Sequence, residues 1–189
     1  MFLGFVSVLL AIVGYGIYFK QIFSGKIKPH AFSWFVWSLT VAIIFFGQLA
    51  KGAGAGAWVT GAISLACFAI SILALFKGYR DFIYWDWVFL FVCLLSLVFW
   101  WLTKDPTISL ILITVTDIVA TFPTLYKTYN NPFEESLTLF SLNTIRSVIA
   151  IFAFQAFTFV SAIYPVKLIV FNFLIAGIIF FRRRQLTQA

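Results

Sequence analysis

The feature that most constrains this chain is a series of seven apolar runs, at roughly 2–19, 31–49, 57–76, 85–103, 107–125, 136–157 and 161–181. A bilayer-spanning helix needs about 20 mostly apolar residues, so seven would use roughly 140 positions. The chain has 189, which leaves little for loops and tails. The runs are continuous rather than alternating, which argues for helices and against β-barrel strands. Apolar and aromatic residues make up 63% of the chain and charged ones 10%. That balance excludes a soluble catalytic domain, a large extramembrane domain and a disordered polymer. An all-α membrane protein with seven transmembrane helices is expected. The opening stretch, MFLGFVSVLLAIVGYGIYFK, has no basic leader and no small-residue cleavage site, and reads as a retained first span.

Charge sets the expected orientation. Thirteen Lys and Arg against six Asp and Glu give a net +7. The basic residues sit mainly between the apolar runs, so membrane topology accounts for them and nucleic acid is not an expected partner. Lys20, Lys26, Lys28, Lys77, Arg80, Lys127, Arg182, Arg183 and Arg184 fall on one side, and Lys51 and Lys104 on the other. The positive-inside rule then puts the N-terminus outside and the C-terminus in the cytoplasm. Cys67 and Cys93 lie inside apolar runs and form no disulfide framework. His30, the only histidine, stands in a basic loop, so neither a metal site nor a catalytic triad is expected.

An internal repeat is readable at an offset of 103 positions, pairing Phe19 with Phe122, Pro29 with Pro132, Ser33 with Ser136, Ser38 with Ser141 and Leu39 with Leu142. Both copies run from the end of one span through a loop into the next. Two three-helix units joined directly would point in opposite directions, and the fourth span restores the orientation. Its interior, VFLFVCLLSLVF, is almost wholly apolar, and Trp85, Trp87, Trp100 and Trp101 flank it as interfacial anchors would. The expected organisation is a parallel three-plus-one-plus-three repeat. Residues 1–77 form the first bundle, 78–105 the connector with the fourth span, 106–182 the second bundle, and 183–189 a cytoplasmic tail.

This arrangement resembles the PQ-loop and SWEET superfamily of small transporters. Phe122-Pro123-Thr124-Leu125, followed by Glu135-Ser136-Leu137, is similar to the motif at the cytoplasmic end of the first helix of that family's repeat. The first half keeps Gln21 after Lys20 but lacks the proline. The stretch KIKPHAFSWFVW also resembles a group of small bacterial membrane proteins without an assigned function.

Ionisable residues inside a span are functional candidates by default. Lys167, near the outer end of the last span, is expected to snorkel to the headgroups. Asp117 and Arg146 lie deeper, about 12 and 15 Å from the cytoplasmic side at 1.5 Å per residue. Asn172 is about 15 Å deep from that side, and Asn143 precedes Arg146 by three on nearly the same helical face. These four polar groups share one layer. Thr114, Asp117, Thr121 and Thr124 form a stripe on span five, and Thr60, Ser64, Cys67 and Ser71 another on span three. The stripes either line a wet cavity or serve as packing glue between helices.

Asp117 and Arg146 have two readings of their own. One is a structural ion pair locking the second bundle. The other is a functional pair that binds an anion or carries a proton. The resemblance adds that some lysosomal amino-acid exporters of the superfamily carry a proton-coupling aspartate in this span. At the 103 offset Asp117 faces Gly14, Asn143 faces Thr40 and Arg146 faces Ile43, which departs from the matched Asn and Trp pattern of SWEET-like sugar transporters. Trp34 and Trp37 are one turn apart near the cytoplasmic end of span two, where they would anchor in the belt or stack on a ligand. Gly52, Gly54 and Gly56 suit a tight outer turn, and Ala57 with Gly61 a close helix approach. Pro123 is a candidate hinge.

The expected function is transport of a small polar solute, such as a sugar or amino acid, across a bacterial inner membrane. The mechanism would be alternating access between the two bundles, with Asp117, Asn143, Arg146, Asn172, Thr114, Thr121, Ser64 and Trp37 binding or coupling. No cofactor is expected, and the partners are the bilayer, the solute and, as an open question, further copies of the chain. The alternative is a membrane receptor or assembly protein of the same fold, docking through Lys20, Lys26 and Lys28. An enzyme is not expected, since no nucleophile, base and orienting group can be assembled.

Overall fold

In a computed structural model of the chain, residues 2–50, 58–80, 82–103, 106–152 and 159–188 are described. They form seven α-helices: α1 (Phe2–Phe23), α2 (Ala31–Ala50), α3 (Trp58–Lys77), α4 (Tyr84–Thr103), α5 (Pro106–Asn130), α6 (Leu137–Phe152) and α7 (Phe159–Gln188). A single 3-10 turn, Pro132–Glu134, separates α5 from α6. Among the described residues each expected run falls on one helix and there is no strand; position 57 of the third run and 153–157 of the sixth lie outside them. The glycine-rich stretch 51–57, expected as a tight turn, lies outside the described residues, as do Lys104 and the side chain of Trp100.

Three of the helices are long and apolar enough to cross a membrane, over Phe5–Phe23, Thr60–Lys77 and Ile163–Gln188. Ala31–Phe46, Tyr84–Leu95 and Leu137–Phe152 are shorter apolar stretches. Side chains are distributed inside-out relative to a water-soluble domain. Leu65 is 72% exposed and Phe173 68%, while Thr40, Thr116, Asp117, Lys127 and Glu135 are buried. A water-soluble monomer exposes few large apolar patches. The distribution is compatible with lipid as the surrounding solvent.

Helix ends follow local chemistry. Gly25 takes φ +70°, a conformation that costs little only without a Cβ. It ends α1 in a Schellman motif, with Lys26 N donating to Gln21 O and Gly25 N to Ile22 O, both at 3.0 Å. At the start of α4, the Asp86 carboxylate reaches back to accept from Ile83 N at 2.8 Å, the second half of a capping box. Ser136 caps α6 by accepting from Leu139 N at 3.3 Å. Of the two repeat prolines, Pro29 precedes α2 and Pro132 opens the 3-10 turn.

The chain's contacts divide it into two compact units. One comprises Met1–Lys28 with Leu125–Ala189, and the other Pro29–Thr124. In the first, α1 and α7 pack against α6, and Ser7 Oγ donates to Arg146 O at 3.3 Å. In the second, α3 lies along α2 so closely that a Cβ at Gly61 would come within 2.9 Å of the Phe45 ring. Val36, Cys93 and Ala120 bring α2, α4 and α5 together, with Trp37, Leu90 and Val119 around them. One unit boundary falls at Thr124, the residue after Pro123, inside the continuous helix α5.

Candidate functional site

In the unit of α2 to α5, the stripe on α5 faces inward. Thr114, Asp117, Thr121 and Thr124 are all buried, as their three-and-four spacing predicts. Asp117 is the twelfth residue of the 25-residue helix and is 2% exposed. Its Oδ1 lies 2.9 Å from Oγ1 of Thr40 on α2. That hydroxyl also lies 3.0 Å from Trp37 O. A threonine carries one hydroxyl proton, and donation to a carboxylate is the stronger of the two bonds.

Other members of the stripes are used locally. Thr121 Oγ1 donates to Asp117 O at 2.8 Å on its own helix. Ser64 Oγ donates to Ser38 O at 2.9 Å, tying α3 to α2, which is the packing use of such a hydroxyl. Trp34 is 2% exposed and meets the Trp37 ring edge-on at 5.1 Å. Burial inside the protein overturns the belt-anchor expectation for Trp34. Trp37 Nε1 is also buried and has no hydrogen-bond partner among the described residues.

In the other unit, Asn143 and Ser147 are buried on α6. Arg146, between them, has a buried Nε without a hydrogen-bond partner among the described residues. Asn172 Nδ2 donates to Leu168 O, one turn back on α7, at 2.7 Å. Lys167 is buried, not snorkelling, with its ammonium 5.6 Å from the ring of Phe171 and 6.0 Å from that of Tyr164.

Two polar clusters were not legible as sites in the sequence. In the unit of α1, α6 and α7, Lys127 and Glu135 are fully buried and form an ion pair at 3.0 Å. The Lys127 ammonium also donates to Glu134 O at 2.8 Å and to Lys28 O, so its three protons are all used. Glu135 Oε2 accepts from Tyr18 OH at 3.0 Å and from Ser136 N at 3.2 Å. Arg183 on α7 donates to Glu135 O at 2.6 Å and to Pro132 O at 3.0 Å. Burial pushes the Lys127 ammonium below the ordinary lysine pKa, against the pull of Glu135. Lys127 and Arg183 are thus internal structural cations, a role that a count of basic residues per side does not distinguish from topology.

The second cluster lies in the α2 to α5 unit. His30, expected in a basic loop, is 1% exposed, and its Nε2 stands 3.5 Å from Asp86 Oδ2. Phe32 and Phe82 meet the imidazole edge-on, with centroids 5.8 and 5.4 Å away. The motif residues Glu135 and Ser136 and the repeat residue Pro132 carried a sequence signal in the first cluster, but none of them pointed to Lys127 as the partner.

Among the described residues no group of three His, Cys, Asp or Glu side chains is placed to hold a metal ion. The chain matches no family model, no characterised protein and no solved structure in these comparisons.

Proposed function

We propose that the chain is a small-solute transporter of a bacterial inner membrane, with seven spans in a three-plus-one-plus-three repeat like that of PQ-loop and SWEET proteins. Its N-terminus lies outside, its C-terminus in the cytoplasm, and its two three-helix bundles alternate access. The observation that carries this reading is Asp117, a carboxylate midway along a helix of a largely apolar chain, buried and met by the Thr40 hydroxyl. An intramembrane carboxylate is expensive, and it is kept where it binds, couples or pairs. Arg146 on α6, whose buried Nε has no hydrogen-bond partner among the described residues, supports a polar contact of its own for a solute. Pro123, inside the continuous helix α5, is the candidate hinge, since a proline in a helix interior removes a backbone hydrogen bond and kinks it.

The roles follow from chemistry. Asp117 binds a solute hydroxyl or ammonium, or carries a coupled proton. Arg146 binds a carboxylate or phosphate, and Asn143 and Asn172 supply neutral hydrogen bonds. Thr114 and Thr121 share the buried face of Asp117, while Trp37 belongs to α2, the helix of Thr40, and Ser64 on α3 is tied to α2 through Ser38 O.

Reconstitution in proteoliposomes tests the proposal. Flux of one solute class among sugars, amino acids and nucleosides is expected in the native protein. Asp117→Asn is expected to abolish any response to a pH gradient, and Arg146→Ala to raise the KM at least tenfold. If both variants carry native flux, the site assignment is wrong. A stably co-purifying partner with no flux for any solute would favour the receptor reading.

A further inference from the structure

The outer face of α7 bears an open groove of about 650 Å³ that the transport reading does not use. Ile169, Phe173 and Gly177 line its length, and Tyr129 from the end of α5 closes one end with Arg182 and Gln185. The lining is apolar except at that end. From Ile169 to Arg182 the helix rises about 20 Å at 1.5 Å per residue. The hydrocarbon depth of one leaflet is about 15 Å, half of a bilayer core.

Two independent details mark the groove. A Cβ built on Gly177 meets nothing within 4 Å. Glycine inside a helix costs about 1 kcal/mol relative to alanine, and here no neighbouring helix takes up the space, which belongs to the groove. The polar end, in contrast, is built. The Arg182 guanidinium stacks 4.3 Å over the Tyr129 ring, donates from Nε to Tyr129 O at 3.1 Å and from Nη1 to Gln185 Oε1 at 2.9 Å.

Every one of those Arg182 partners is uncharged. Among the described residues, neither Arg182 nor the exposed Arg184 two residues on has a carboxylate within ion-pair distance, unlike Lys28 with Glu134 and Lys127 with Glu135. Arg183 points inward to Pro132 O and Glu135 O. A fixed, uncompensated cation thus closes one end of an apolar trough about one leaflet deep.

We propose that this groove is a binding site for an anionic phospholipid, with the phosphate on Arg182 and an acyl chain along α7 over Gly177. A soluble anion has no tail to cover the apolar walls. A zwitterionic lipid brings its own cation and gains less from Arg182. A second copy of the chain would have to bring a carboxylate into the groove.

The experiment is native mass spectrometry of the full chain in neutral detergent, titrated with phosphatidylglycerol or phosphatidylcholine of identical acyl chains. Phosphatidylglycerol is expected to be retained about fivefold better, the worth of one basic residue at an anionic membrane surface. Arg182→Gln should remove that preference and Arg182→Lys should keep most of it. A Cβ at Gly177 meets nothing within 4 Å, so Gly177→Phe directs its ring into the groove; it should cut retention of both lipids while leaving the melting temperature in lipid-free detergent unchanged.

Equal retention of the two lipids by the native chain overturns the proposal. So does native retention in Gly177→Phe. If inorganic phosphate at matched concentration removes the lipid preference, the end is a phosphate site and the groove no part of it. A dimer that Gly177→Phe dissociates, without any lipid preference, would assign the face to a second copy.

Discussion

Lys127 and Glu135 carry the sharpest consequence at the scale of single residues. Both are fully buried, and each is satisfied by the other and by groups from the neighbouring backbone. Removing one partner leaves a buried charge alone, which costs about 3–5 kcal/mol, whereas replacing both with apolar groups of similar volume is often neutral. Lys127→Met is therefore expected to lower stability by that amount, and Lys127→Met with Glu135→Leu to restore most of it, as measured by thermal unfolding in detergent. The pair also has a pH signature. Because burial holds the Lys127 pKa below its ordinary 10.5, the unfolded chain binds more protons than the folded one between the lowered value and 10.5. Stability contributed by Lys127 thus rises with pH through that window. The double variant should lose this rise, and a native chain with no such rise would show that the pair is not buried as described. Lys127 was legible in the sequence only as one positive charge among nine on its side. Its partner stands across the turn opened by Pro132, and a charge count carries no information about that turn.

At the scale of elements, hydropathy and capping residues explain where helices run, and backbone approach explains how they join. Gly78 follows α3, where its N–H bonds Ala74 O at 2.8 Å and the next residue, Tyr79, bonds Pro29 O at 3.1 Å. A Cβ at Gly78 would lie 2.3 Å from Ala74 O and 2.5 Å from Pro29 O, both backbone atoms with little freedom to move. Gly78→Ala is expected to destabilise by about 1–3 kcal/mol, the usual cost of overpacking, read as a lower melting temperature. Gly25→Ala should cost about 1–2 kcal/mol through the left-handed backbone at the end of α1. If Gly78→Ala melts with the native chain, the close approach of residues 78 and 29 is wrong. The Thr114-Asp117-Thr121-Thr124 stripe was readable beforehand because helical periodicity is a local property. That Thr40 of α2 meets it was not, since the two residues are 77 positions apart.

At the scale of the whole molecule, the proposed orientation has a direct check. Nine of the basic residues should face the cytoplasm, including Arg182, Arg183 and Arg184 near the C-terminus. A green fluorescent protein fused after Ala189 is expected to fluoresce in bacteria. A cysteine introduced near Phe2 should react with a membrane-impermeant thiol reagent added outside. A dark C-terminal fusion together with an unreactive N-terminus would reverse the topology. A reactive N-terminus with a dark C-terminal fusion would require an even number of crossings.

The amino-acid sequence by itself determined the helical class, the positions of the seven helices and the inward face of α5. Transfer free energy adds up along a run of some 20 residues, and helical geometry repeats within a few, so both can be read without knowing any neighbour. The tertiary structure alone decided which polar groups meet: Asp117 with Thr40, His30 with Asp86, and Tyr18 with Glu135 and Lys127. It alone turned Lys127, Arg183 and Lys167 inward and left Arg182 at the end of an apolar groove. Hydrogen bonds and ion pairs act over about 3 Å, and only the packing of distant segments brings their atoms that close.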